Sequence, residues 1–261
     1  MSTTTLAAPI HVNTAGVHAR PRLGRLVAVE LRKMLDTRAG FWLQVAMVAL
    51  TVVVVVVRLL VGNQAHHTFQ SVLDAGLQPS AVLLPVLGIL LVTSEWSQRT
   101  GLITFALVPV RSRVLAAKLL ASLLLAVAML AISVAVVAAG VLVSSPGVEG
   151  AWSDAVPLIG QSAVNLTTGM VRGVALGAIL LASAPAIVLL FALPTAWMAL
   201  VSLPVFSGVA PWVDYARALG QTTEHVMSAT QWAHASTSLL IWMVLPLLIG
   251  GRRITQCELT A

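Results

Sequence analysis

Long apolar stretches are the feature that most constrains the fold of this chain. Residues 41–61 are apolar along almost their whole length and include six consecutive valines at positions 52–57. A helix that crosses a bilayer needs about 20 such residues. Several similar stretches follow, and only 9% of the 261 residues are charged, against roughly 25% in soluble domains. The sequence therefore predicts an all-α polytopic membrane protein with six transmembrane helices.

The predicted elements follow one another in a simple order. Residues 1–21 are polar and lack the apolar core of a signal peptide, so we expect a disordered cytoplasmic tail. Residues 22–261 are expected to form a single transmembrane domain. It begins with an interfacial amphipathic helix over residues 22–38, where apolar residues and cations occupy opposite faces. The six spans are expected at residues 41–61, 78–94, 114–143, 156–181, 186–205 and 234–250.

Positive charge is distributed unevenly between the predicted loops. With both termini in the cytoplasm, the cytoplasmic side holds twelve cations and the outer side holds two, Arg58 and Arg217. Lysine and arginine concentrate in cytoplasmic loops, so we expect this orientation in a bacterial plasma membrane. The same topology explains the net charge of +6, and we expect no nucleic-acid partner.

Two polar stretches are expected on the outer side. Residues 62–80 are predicted to form a loop, and residues 211–235 an interfacial helical hairpin, because aromatic and polar residues mix there. His66 and His67 are adjacent and point apart in a regular element, and Cys257 is the single cysteine. We therefore expect no metal site.

The densest interior charge lies between spans two and three. Glu95 and four cations flank the apolar residues 101–108 and Pro109. Eight apolar residues are too few to cross a bilayer, so we predict a cytoplasmic helix over residues 97–108, with Glu95 capping its N-terminus. Two interpretations of Glu30 in the first helix stay open: a surface pair with Lys33, or a contact with this cytoplasmic segment.

Polar groups inside the predicted spans are candidates for a substrate pathway. Arg172 lies well inside span four, and charge at that depth is costly and commonly functional. Two interpretations of Arg172 stay open: it lines the pathway, or it snorkels or pairs with a backbone carbonyl. Asn165 in span four and Gln44 in span one are the other pathway candidates.

Two motifs carry a resemblance to a known family. Residues 29–33 read VELRK before the first span, and residues 95–118 contain EW, RTG, LVPVR and AK in that order. These motifs resemble the permease subunits of ABC-two-type transporters, in which a glutamate ends the second span and a proline- and arginine-containing run leads into the third. This chain has Thr100 before Gly101, whereas many relatives have the reverse order.

The resemblance implies the membrane subunit of an ATP-driven exporter. Such six-helix permeases pair, as a homodimer or with a sister subunit, and each docks a separate ATPase through the coupling helix after span two. ATP and Mg would bind to that partner, because this chain has no G-x-x-x-x-G-K-[ST] phosphate loop. The cargo is expected to be amphipathic or hydrophobic. The residues implied in ATPase coupling are Glu30, Glu95, Arg99, Gly101, Leu102, Phe105, Arg111, Arg113 and Lys118.

Two other classes of function stay open. A membrane-embedded enzyme would need a nucleophile, a base or metal ligands within reach of one another, and the chain has no H-E-x-x-H motif. A passive membrane anchor for a partner complex would share the topology but would have no substrate pathway. We expect no catalytic residue and no cofactor on this chain.

Overall fold

The computed structural model describes residues 22–61, 68–97 and 111–256, and these residues form helices and no strand. In chain order the helices are α1 Leu23–Asp36, α2 Arg38–Val61, α3 Phe69–Ser97, α4 Arg111–Ser144, α5 Ala155–Leu180, α6 Ser183–Val201, α7 Ala210–Val213, α8 Tyr215–Gly220, α9 Ala229–Leu239 and α10 Leu245–Gln256. A 3-10 turn at Pro204–Phe206 follows α6, and a π-helical turn at Leu240–Val244 joins α9 to α10.

Six helical segments of the described chain are long and apolar enough to cross a membrane, with α9, the π-helical turn and α10 counted as one. They are Arg38–Val61, Phe69–Trp96, Ser112–Ser144, Ala155–Leu180, Ser183–Val201 and Ala229–Gln256. The predicted all-α class and the six spans are therefore confirmed. The tail over residues 1–21 and the coupling helix over residues 97–108 fall on residues that are not described, apart from Ser97 at the end of α3.

Helix α3 begins much earlier than the sequence pattern indicates. We predicted a loop over residues 62–80, but the helix starts at Phe69 and contains both Pro79 and Pro85. Phe69, Leu73 and Leu77 recur at helical spacing and are buried, and the Phe69 ring stacks on Trp152 with 5.4 Å between ring centroids. The loop prediction is wrong for residues 69–80, because the polar residues between these positions masked a buried stripe.

The other helix ends lie within a few residues of their predicted positions, with the last span as the main exception. That span was predicted over residues 234–250 but runs from Ala229 to Gln256. Its start is fixed by a capping box, in which Ser228 and Gln231 bond each other's backbone N–H groups. Such a cap satisfies two donors that a helix end would otherwise leave unpaired. The helix therefore begins inside the polar stretch that we assigned to a hairpin.

Helices α3 and α5 form the centre of the bundle because glycines let their backbones approach closely. A Cβ atom at Gly88 would lie 2.6 Å from the Met170 carbonyl oxygen, and one at Gly173 would overlap the Pro85 carbonyl group. Small residues commonly mediate helix packing in membranes. The spans α2, α6 and α9–α10 surround this pair and leave most of their apolar side chains uncovered, as lipid contact requires.

The two ends of the bundle differ in charge. We call the end that holds α1, Trp96, Ser112 and Gln256 the basic end. Among the described cations, Arg58 lies toward the opposite end, Arg172 lies between the two ends, and Arg217 belongs to the short helix α8. The cations with described side chains at the basic end are Arg22, Arg25, Arg32, Lys33, Arg38, Arg113, Lys118, Arg252 and Arg253. The first candidate site lies at this basic end.

Candidate functional site

Four charged side chains meet at the basic end, and we call them the charge cluster: Glu30 and Lys33 of α1, Glu95 of α3 and Lys118 of α4. The Lys33 Nζ atom lies 2.8 Å from Glu30 Oε1 and 2.7 Å from Glu95 Oε1. The Lys118 Nζ atom lies 2.7 Å from Glu30 Oε2 and 3.1 Å from Glu95 Oε1. Each lysine therefore bridges both glutamates, and the cluster joins three helices with no net charge.

The charge cluster is almost closed to solvent. Glu30, Glu95 and Lys118 are 4%, 5% and 4% exposed, whereas the Lys33 side chain keeps 38% of its surface exposed. Lys118 also donates a hydrogen bond to the Leu91 carbonyl oxygen at 3.1 Å. Its ammonium group thus has three acceptors for its three N–H groups. Charges buried to this degree persist only when they are paired and hydrogen-bonded, and the cluster meets that condition.

The pKa of Lys33 shows that the cluster holds this residue in its charged form. Burial of the ammonium group lowers the pKa, but the hydrogen bonds and negative charges of Glu30 and Glu95 outweigh burial and raise it above the usual 10.5. A raised pKa in the folded protein means that the pairing stabilises the fold fully below the usual lysine pKa of 10.5, as long as the two glutamates are ionised. The contribution is lost only as pH rises through that raised value. Lys33 therefore remains protonated at physiological pH.

The cluster bears on the two interpretations of Glu30. Glu30 does pair with Lys33, as the first interpretation has it, but the Glu30 carboxylate is buried and only Lys33 is partly exposed. Glu30 also contacts Lys118 of α4, whereas a contact with the predicted cytoplasmic helix falls outside the described residues and stays a prediction. Lys33 was not among our candidate site residues, although its spacing of three residues from Glu30 was the available signal.

The remaining coupling candidates are placed only in part. Glu95 directs its carboxylate to Lys33 and Lys118, and the helix that we expected it to cap lies outside the described residues, apart from Ser97. Arg113 lies on α4, five residues before Lys118, and Arg111 is the first residue of that helix. The other four candidates lie outside the described residues: Arg99, Gly101, Leu102 and Phe105.

A second candidate site is a cavity of about 260 Å³ between α3, α5 and α8. Asn165 and Arg172 both line it from α5, two helical turns apart, and the Arg172 Cζ atom lies 4.1 Å from the centroid of the Tyr215 ring.

Gln44, the third predicted pathway residue, is not part of this site. Its side-chain amide donates to the carbonyl oxygens of Met34 at 3.0 Å and Gly40 at 3.1 Å. Gln44 thus fastens the corner between α1 and α2.

The segment over residues 202–228 turns back into the bundle, and its part between Tyr215 and Thr223 forms one wall of this cavity. Val213 accepts a hydrogen bond from the Trp242 indole at 2.6 Å, and Tyr215 stacks against Arg172. Arg172 lies eight residues before the end of α5 at Leu180, which is about 12 Å along the helix axis. The hydrocarbon layer is about 30 Å thick. The segment therefore reaches the depth of the membrane interior, in contrast to the predicted hairpin at the outer interface.

Gln161 of α5 holds this re-entrant segment in place. Its amide nitrogen donates to the carbonyl oxygens of Thr222 at 3.0 Å and His225 at 2.8 Å, and its amide oxygen accepts from the Met227 N–H at 2.7 Å. Irregular backbone is tolerated at membrane depth only where other protein groups satisfy it. Gln161 therefore supplies hydrogen bonds to three backbone groups that would otherwise need water.

Comparison with known proteins gives no match, either to a family model or to a curated protein. Among the described residues, no group of three or more histidine, cysteine, aspartate or glutamate side chains is arranged to hold a metal ion. The functional argument therefore depends on the charge cluster and on the Arg172 cavity.

Proposed function

We propose that this chain is the membrane-spanning permease subunit of an ABC-two-type exporter in a bacterial plasma membrane. It pairs with a second permease and works with a separate ATPase subunit that binds ATP and Mg. Both termini lie in the cytoplasm, so that the basic end faces the cytoplasm as the distribution of lysine and arginine requires. The observation that carries the proposal is the charge cluster, together with its position beside the segment that joins α3 to α4.

The charge cluster suits the transmission of force. Glu95 and Lys118 lie on either side of residues 98–110, which contain the expected coupling helix, and the two side chains are ion-paired. A force applied to that segment therefore acts on α3 and α4 together. Glu30 and Lys33 extend the connection to α1. A partner ATPase that changes shape can move a membrane pathway only through such a fixed joint.

The Arg172 cavity favours transport over the alternative of a passive anchor. An anchor needs apolar surface for the bilayer, but it gains nothing from a half-buried cation and a polar cavity at membrane depth, both of which are costly. A transported molecule would need such a site between the spans. An exporter would need both the charge cluster and the Arg172 cavity, whereas a passive anchor would need neither.

The docking role of the coupling helix is tested with candidate ABC ATPase subunits from the same organism. Each is co-expressed with this chain, and copurification and ATP hydrolysis are measured. Phe105→Asp is expected to reduce copurification about tenfold or more, because a charge would be buried in an apolar contact. Glu95→Ala is expected to lower substrate-stimulated hydrolysis while the complex still forms. His66→Ala is the control and should match the wild type. Full binding and full coupling in the Phe105→Asp variant would refute the docking role.

The orientation is tested by labelling single cysteines in a Cys257→Ala background. Ser112 and Ser153 are exposed, at the basic end and the opposite end of the bundle respectively. A membrane-impermeant thiol reagent added to intact cells is expected to label Ser153→Cys, whereas Ser112→Cys should react only after the membrane is opened. Labelling of Ser112→Cys in intact cells would invert the topology and remove the basic end from the cytoplasm.

A further inference from the structure

Arg172 is half-buried in the bundle, and its guanidinium group has few partners among the described residues. Its Nε atom is buried and has no hydrogen-bond partner, and no ion pair of Arg172 occurs in the part of the chain that the structure describes. Arginine keeps its charge in proteins and has five N–H donors to satisfy. An uncompensated cation at this depth is costly. A further acceptor would therefore stabilise the guanidinium group.

The Tyr215 ring compensates the charge only in part. A cation above an aromatic face is attracted to the ring, and the Arg172 Cζ atom lies 4.1 Å from the ring centroid. The ring face does not replace the in-plane acceptors that a guanidinium prefers, such as the two oxygens of a carboxylate or a phosphate. The contact therefore orients Arg172 and leaves its capacity for bidentate hydrogen bonding unused.

The nearby acids have other partners. Asp214 lines a smaller cavity together with Arg172, Trp197 and Trp242, and its Oδ1 atom accepts from two backbone N–H groups at the start of α8, at 3.0 and 3.2 Å. Asp74 accepts a hydrogen bond from Thr223 at 2.6 Å. Neither carboxylate forms an ion pair with Arg172.

The lining of the larger cavity matches an amphiphile. Gln78, Asn165 and Thr223 supply polar groups near Arg172, and Leu77, Ala81 and Leu219 supply apolar surface. Pockets for small molecules are mostly apolar, with a few polar groups that fix orientation. A volume of about 260 Å³ admits a head group and the first part of an attached chain, but not a large drug.

We infer that the Arg172 cavity binds the anionic group of an amphiphile, a carboxylate or a phosphate, with the oxygens of that group on the Arg172 guanidinium. The substrate class of the proposed exporter is then anionic amphiphiles, and in this respect the inference rests on the proposed function. The binding itself concerns this chain alone and is measurable without an ATPase.

The test measures binding to the full chain in nanodiscs of neutral phosphatidylcholine. The probes are dodecanoate and dodecyl phosphate, with dodecanol and dodecyltrimethylammonium as matched neutral and cationic compounds. Tryptophan fluorescence reports binding, because Trp197 and Trp242 lie beside Arg172. The two anions are expected to bind and the other two compounds to bind far more weakly. Arg172→Gln should weaken anion binding by about 30-fold or more, since it removes one side of a buried charge pair.

Two further variants separate binding from folding. Arg217→Gln removes an exposed cation from α8 and should leave the affinities unchanged. Arg172→Lys keeps the charge but loses the bidentate geometry, so it should still select anions over dodecanol, with lower affinity. If Arg172→Gln does not fold, the anion selectivity of Arg172→Lys tests the inference instead. Equal affinity for dodecanol and dodecanoate in the wild type, an unchanged affinity in Arg172→Gln, or a folded Arg172→Lys variant without anion selectivity would each overturn the inference.

Two sources of the anion are distinguished by the lipid. If phosphatidylglycerol in the nanodiscs competes with dodecanoate, the occupant is an anionic lipid head group. Without competition, the occupant is a free amphiphile, and both results support the cavity as an anion site. The export proposal and the anion site are refuted by different results. Intact coupling in the Phe105→Asp variant would refute docking while anion binding stands, whereas normal coupling without anion binding would refute only the site.

Discussion

Replacing Lys118 with methionine is expected to destabilise the folded protein by about 3–5 kcal/mol, the usual cost of breaking a buried ion pair. The change leaves Glu30 and Glu95 buried with a single, partly exposed cation between them. It also removes the donor to the Leu91 carbonyl group. The thermal midpoint of the purified protein in detergent should fall by about 2–4 °C for each kcal/mol lost.

A double variant distinguishes charge imbalance from simple loss of packing. Glu30→Gln combined with Lys118→Met restores a neutral cluster, in which Lys33 and Glu95 still pair at 2.7 Å. Part of the lost stability should therefore return. Arg32→Met is the control, because Arg32 and Asp36 form an exposed pair on the same helix at 3.6 Å, and such pairs contribute little. If Lys118→Met behaves like this control, the cluster has no role in stability and its role as a joint is doubtful.

Replacing Gly173 with valine should be similarly damaging, at about 3 kcal/mol or more, because the new side chain would overlap backbone atoms of α3. A Cβ atom at this position meets the carbonyl group of Pro85, and backbone cannot rotate aside as a side chain can. Helices α3 and α5 must therefore separate. The Arg172 cavity lies between the same two helices, so the binding of dodecanoate should weaken as well.

Gly160→Val is the matched control for this substitution. Gly160 lies on the same helix, and a Cβ atom there would meet nothing within 4 Å. Both variants carry the same change in helix propensity, so their difference reports the contact with α3 alone. Thermal midpoints in detergent and dodecanoate affinities are measured for the pair. Equal stability of the two variants would show that the close approach of α3 to α5 is not required.

Most of the fold could be predicted because a membrane span is a local property of the sequence. Twenty apolar residues in succession define a helix whatever surrounds them, and α2 and α4 fall where hydropathy indicates. The start of α3 could not be found in this way. Phe69 and Leu73 are buried by contacts with residues far along the chain, such as Trp152, and the polar residues between them lower the local hydropathy.

The sequence predicted several residues of the candidate sites, but it did not predict how those residues are arranged in space. Glu30, Glu95 and Lys118 were chosen from motifs, and the structure brings these three together. The double contact of Lys33 depends on how α1 is rotated against α3, which no local pattern encodes. The pairing of Arg172 with Tyr215 joins residues from separate helices. It arises only because the chain after α6 turns back into the bundle.

The re-entrant segment has a consequence for biogenesis. Its helices, α7 and α8, have four and six residues, too few for the insertion machinery to recognise as a span. In hydrocarbon its backbone groups would lack partners, and the groups that bond them include Gln161 on α5 and Trp242 and Thr237 in the last span. The segment can therefore enter the bilayer only after both of those spans have been inserted and packed. Closure of the Arg172 cavity is then a late step in the maturation of the protein, after synthesis of the final helix.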